Sequence, residues 1–176
     1  MPLVLTFELY DAPELLELLE AGVERVRASE HTPITTSPPY KAGPGLVAVD
    51  VTVSEDPRVY QAFLFVLLEL DLWERTHLDL PSVLDPGLAF EAEPPGVEWW
   101  RSSFALRSRG SGDCEDFATD YAAELVLSGQ PAAPSIELEL DDGHGRRFHV
   151  VTLIETAPGV LERRDLSREI EALPWL

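Results

Sequence analysis

The stretch from Gly110 to Gly129, GSGDCEDFATDYAAELVLSG, constrains this chain more than any other. Two glycines and an aspartate lead into Cys114, the one cysteine of the sequence, and helical spacing follows it. Ala118, Tyr121, Ala122 and Leu125 fall on one face, and the small alanines at 118, 122 and 123 let another element approach closely. Asp113 is placed to cap this helix and Gly129 to end it. The fold must therefore be built around a helix whose first turn presents a thiol. The partial positive charge at a helix N-terminus favours thiolate over thiol. Asp113, Glu115 and Asp116 oppose it, so an activated thiol requires an offsetting ion pair with protonated His149 or with nearby arginines.

The segments after that helix read as a small antiparallel sheet. Ile136 to Leu140 alternates apolar and acidic residues, Asp141 to Gly145 is a turn, and Arg147 to Thr156 is the returning strand. On that strand Phe148, Val150, Thr152 and Ile154 share one face, and His149, Val151, Leu153 and Glu155 share the other. Ala157-Pro158-Gly159 turns the chain into a third strand, Val160 to Asp165, and Ser167 to Leu173 reads as a short closing helix. A helix packed on such a sheet brings a thiol to an imidazole held by a carboxylate, which is what thiol catalysis requires. His144 is a rival base, on the looser platform of a glycine-flanked turn.

The first half reads as mostly helical. Leu3 to Leu5, with Phe7 and Tyr10, is a short strand, and residues 14 to 29 form an amphipathic helix behind Pro13, with Asp11 as its capping candidate. Residues 31 to 45 hold four prolines and two glycines and read as a long loop that starts at His31. Leu46 to Val53 is a strand with its valines on one face. Ser54 or Asp56 caps a very apolar helix over residues 58 to 77, which should be central and buried. Residues 78 to 98 read as an irregular packed crossing segment with a helical turn near Pro81 to Leu84. Arg101, Arg107 and Arg109 make one locally basic stretch, whose plain role is to pair with neighbouring acids. The expectation is one α+β domain over residues 1 to 176. Its 1 to 98 portion is mostly helical with one or two strands, and in its 99 to 176 portion the Cys114 helix packs on an antiparallel sheet of three or more strands.

Composition narrows the partners. Of 176 residues 45% are hydrophobic and 26% charged, ordinary values for a folded domain. Thirteen basic against 32 acidic residues give a net charge of −19, a surface that repels nucleic acid and anionic membranes. A single cysteine excludes an internal disulfide and a multi-cysteine zinc site, and nothing in the sequence marks a metal or an organic cofactor. The N-terminal residues lack the pattern of a signal peptide, and Val59 to Trp73 is too short and too charged to cross a bilayer. A cytoplasmic or particle-associated location follows as an expectation.

GDCEDFA, then HVV in a strand, then an aspartate followed by a polar residue, resembles the transglutaminase-like cysteine peptidase family, especially its compact bacterial and phage versions. The likeness covers roughly residues 99 to 168. It implies a papain-like core and a triad in which Cys114 is the nucleophile, His149 the base and Asp165 the group that orients the base. The third strand departs from the family pattern in placing Arg163 and Arg164 before the aspartate, and Glu155 and Glu162 are the alternatives to Asp165. The implied activity is cysteine-dependent acyl transfer on a protein or peptide substrate, with hydrolysis the expected outcome. The alternative is a non-catalytic binding or assembly module of the same fold, for example a component of a phage or phage-like particle.

Overall fold

The structure is a computed structural model that describes residues 2–93, 98–139 and 147–171. It is a mixed α+β chain with two main sheets. Strand β1 (Pro2–Tyr10) lies at the heart of the first, and helix α1 (Pro13–Glu30) follows it. Leu5, Phe7 and Leu9 of β1 are fully buried. On the opposite face Thr6 donates to Asp50 at 2.8 Å, and Glu8 pairs with Arg109 at 2.6 Å. The alternation thus continues through polar positions, and the strand is longer than its apolar start suggests.

The sheet corrects the reading of the first half. Within the expected loop of residues 31 to 45 lie β2 (Thr35–Thr36) and β3 (Tyr40–Gly43), and both pair with β4 (Leu46–Ser54). β4 runs antiparallel to β1 along its whole length. On the other side of β1 a parallel strand enters after the crossing segment, β6 (Glu98–Arg101), which no local pattern marks. The result is a five-stranded sheet in the order β2-β4-β1-β6, with β3 also on β4.

Helix α1 is led in by Ala12, which makes no side-chain capping bond, and Asp11 instead donates its backbone N–H to Gly45 at 2.9 Å. Helix α2 (Pro57–His77) is capped by Asp56, which accepts the Arg58 N–H at 2.9 Å. It buries Val59, Tyr60, Phe63, Leu64 and Leu67, as its apolar run requires, and leaves Phe65 exposed. Gly22 of α1 sits where a Cβ would lie 2.6 Å from a Val66 methyl, so these helices touch backbone to side chain. One apolar cluster joins β1, β4, α1 and α2 to Trp100, Ala118 and Val150, and Cys114 packs against its edge.

The crossing segment forms turns near Val83 and then β5 (Ala89–Phe90). After β6 comes helix α3 (Ser103–Arg109), then β7 (Ser111–Gly112), which pairs in parallel with β5. Helix α4 (Cys114–Leu127) follows. The second sheet has the order β10-β9-β8, from β8 (Ala132–Glu139), β9 (Arg147–Ala157) and β10 (Val160–Arg164). All its pairs are antiparallel, as the alternation requires. Helix α5 (Leu166–Glu171) closes the described chain. The turn of residues 141 to 145, with His144, lies outside the described residues. No helix among the described residues is long and apolar enough to cross a membrane.

Candidate functional site

The start of α4 is set by close packing. Gly112 lies where a Cβ would meet Leu106 Cδ1 at 2.5 Å and Asp116 Oδ2 at 2.7 Å, so only glycine fits two residues before the thiol. Asp113 and Asp116 form a capping box: Asp113 accepts the backbone N–H of Asp116, and Asp116 accepts that of Asp113 at 3.2 Å. Asp116 also accepts the Arg101 backbone N–H at 2.7 Å, which ties the first turn of α4 to β6. Arg101 donates to the Ser111 carbonyl at 3.0 Å. The arginines of the basic stretch are all ion-pair partners. Arg101 lies near Glu8 and Asp116, Arg107 reaches Asp120 at 2.9 Å, and Arg109 reaches Glu8.

On the second sheet, Val150 and Thr152 face α4. Thr152 Oγ1 donates to the Ala118 carbonyl at 3.0 Å, and Val150 is buried in the cluster that Cys114 borders. The Cys114 thiol meets the backbone N–H of Val150, the residue directly after His149. β10 stops at the Arg164–Thr152 pair, short of this point, and leaves room for the thiol at the edge of β9.

His149 Nε2 and Asp165 Oδ2 are 2.8 Å apart, and both side chains are largely buried. Asp165 lies one residue past β10. Its Oδ1 accepts from Ser167 Oγ at 2.9 Å and from the Arg168 N–H at 3.4 Å, so one oxygen starts α5 while the other faces the imidazole. The two roles open to this aspartate, cap and histidine partner, coexist. Burial pushes the Asp165 carboxyl up, but the bonds from His149 and Ser167 outweigh it and hold the group below its ordinary range. Glu155 instead accepts the Gly159 N–H in the hairpin turn, and Glu162 is exposed opposite Ile154.

The structure joins two of the three expected residues directly, His149 and Asp165, and places the Cys114 thiol at the backbone N–H of Val150, the residue after His149. The hydrogen bond made by the thiol runs to Glu115 Oε2 at 3.2 Å. Asp165 takes Nε2 of the ring. Burial, then the neighbouring Asp113, pushes the thiol up to about 12. The expected offset by arginine is slight: Arg101 stands 3.9 Å from Asp116, and burial and Asp113 still raise the thiol. Both effects favour the protonated thiol.

The acids around it cluster closely. One carboxylate oxygen from each of Glu93, Asp113 and Glu115 lies within 4.8 Å of the others. Asp113 Oδ1 is buried without a hydrogen-bond partner. Burial, then the charges of Glu115 and Asp116 on Asp113 and of Cys114 and Asp116 on Glu115, pushes both carboxyls well above the ordinary carboxylate range, and burial brings Glu93 to about 8. An all-oxygen donor set with an unsatisfied buried oxygen fits a hard divalent cation, with water or backbone filling its remaining positions. The reading of the sequence expected no metal. Glu93 was not visible to it, because the β5–β7 pairing carries the crossing segment to the thiol across a gap of twenty residues of chain. The run DCED was the available signal.

Comparison with protein-family models, with curated proteins and with solved structures finds no match to this chain. The family likeness therefore stands on the motif residues alone.

Proposed function

We propose that this chain is a cysteine-dependent acyl-transfer enzyme of papain-like, transglutaminase-like architecture, which hydrolyses a peptide or amide bond through a thioester on Cys114. One observation carries the reading: the His149–Asp165 pair at 2.8 Å, with the Cys114 thiol at the backbone N–H of the next residue, Val150. His149 takes the thiol proton as the sulfur attacks the carbonyl carbon, and Asp165 fixes the ring and stabilises the imidazolium. Backbone N–H groups at the start of α4 receive the developing oxyanion. His149 then returns the proton to the leaving amine; water next attacks the thioester with His149 again as base, the acid product leaves, and His149 gives that proton to the departing Cys114 sulfur. The raised thiol pKa favours a proton that moves with the attack rather than before it. A panel of defined peptides and peptidoglycan fragments, assayed with wild type and Cys114→Ala, tests the proposal. Turnover confined to wild type supports it, and equal turnover by both proteins refutes it.

A second reading keeps the fold as a non-catalytic binding or assembly module. The bond from the thiol to Glu115 and the high thiol pKa favour it. A Cys114 that resists alkylation under native conditions, in a chain that turns over no member of the panel, identifies this case.

A further inference from the structure

We propose that Arg163 is a positioning residue for the His149–Asp165 pair: by occupying Glu137 it keeps that carboxylate from capturing His149. Glu137 lies directly opposite His149 in the β8–β9 register, so their Cβ atoms are about 5 Å apart. A free carboxylate there competes with Asp165 for the imidazole, above all once the ring carries a proton. Arg163 removes the competitor. Its Nε and a terminal nitrogen hold the two Glu137 oxygens at 2.6 and 2.7 Å, the bidentate fork that carboxylates bind best. That terminal nitrogen also reaches Asp165 Oδ2 at 3.3 Å. Arg163 sits on β10 opposite Leu153, so its guanidinium crosses β9 on the face that carries His149. The ring is penned between a carboxylate already engaged and one aimed at it.

The inference concerns the geometry of the dyad and depends on the proposed acyl transfer only for its kinetic arm. The structural arm follows the His149 ring N–H accepted by Asp165, by nuclear magnetic resonance on histidine-labelled full-length chain. Wild type shows this proton as a protected, downfield signal. In Arg163→Gln the signal is lost or moves, and in Arg163→Gln/Glu137→Gln it returns. In the kinetic arm, the misplaced ring lowers kcat of Arg163→Gln by about tenfold with KM little changed, and the double variant recovers most of it. A merely structural arginine is not rescued by removal of a second charge. An unaltered signal in Arg163→Gln overturns the inference, as does a double variant that stays like the single one. Failure of the acyl-transfer reading abolishes the kinetic arm and leaves the structural arm intact. Arg163 is 43% exposed, so its loss leaves the core in place.

Discussion

Cys114 holds its proton because its neighbours are wrong for a thiolate. Burial removes water, and Asp113 adds negative charge beside the sulfur. Alkylation of native protein by iodoacetamide should therefore keep rising from pH 8 to pH 10, whereas an ordinary thiol levels off near about 9. Asp113→Asn moves the rise to lower pH, because an amide cannot take on the negative charge that opposes the thiolate as the carboxyl ionises. A plateau below pH 8 in wild type contradicts this. The cation reading is tested at the same residues. Ca²⁺ at a hundredfold excess over its Kd should raise Tm by about 5 °C or more and move the alkylation rise to lower pH, and Asp113→Asn should abolish both effects. A Tm that is the same in EDTA and in Ca²⁺ removes the site.

At the scale of elements, the turn from β7 into α4 is closely packed. Gly112→Ala forces a methyl into Leu106 and Asp116. It should cost about 1–3 kcal/mol in urea unfolding and slow any reaction at Cys114, because Asp116 also anchors the Arg101 N–H. A variant with wild-type stability shows that the capping box shifts freely. Local pattern made this helix legible: Asp113 caps, Cys114 opens the first turn, and alternation gave the faces of β9. The Asp165–His149 pairing follows from three strands in sequential order. β6 and the β5–β7 pair were not legible. They depend on parallel partners far along the chain, and a run such as Glu98–Arg101 shows no alternation to announce them. The loop of residues 31 to 45 misled for the opposite reason. Its prolines mark breaks, yet an edge of β4 rich in valine organises Thr35–Thr36 and Tyr40–Gly43 as strands.

The whole molecule places many of its acids inside. Asp71, Glu74, Asp113, Glu115 and Asp116 are all buried, and burial raises every one of them, Asp116 to about 7. A carboxyl raised in the folded state stabilises most below its unfolded pKa, near 4, and the contribution is lost as pH rises through the folded value. Asp56, Glu137 and Asp165 are shifted down and act oppositely, losing their contribution only as pH falls below about 4. The net charge of −19 adds self-repulsion that grows with pH. The urea midpoint should therefore be higher at pH 5.5 than at pH 8, and a midpoint that rises with pH over this interval refutes the account of the buried acids. The central claim is chemical, that Cys114 forms a thioester and His149 drives it. The direct measurement is intact-protein mass after acid quench, during turnover of a peptide substrate. The account predicts an acyl adduct on wild type, its loss in Cys114→Ala, and strongly slowed formation in His149→Ala. Turnover without an adduct on Cys114, or an adduct formed as fast in His149→Ala, contradicts it.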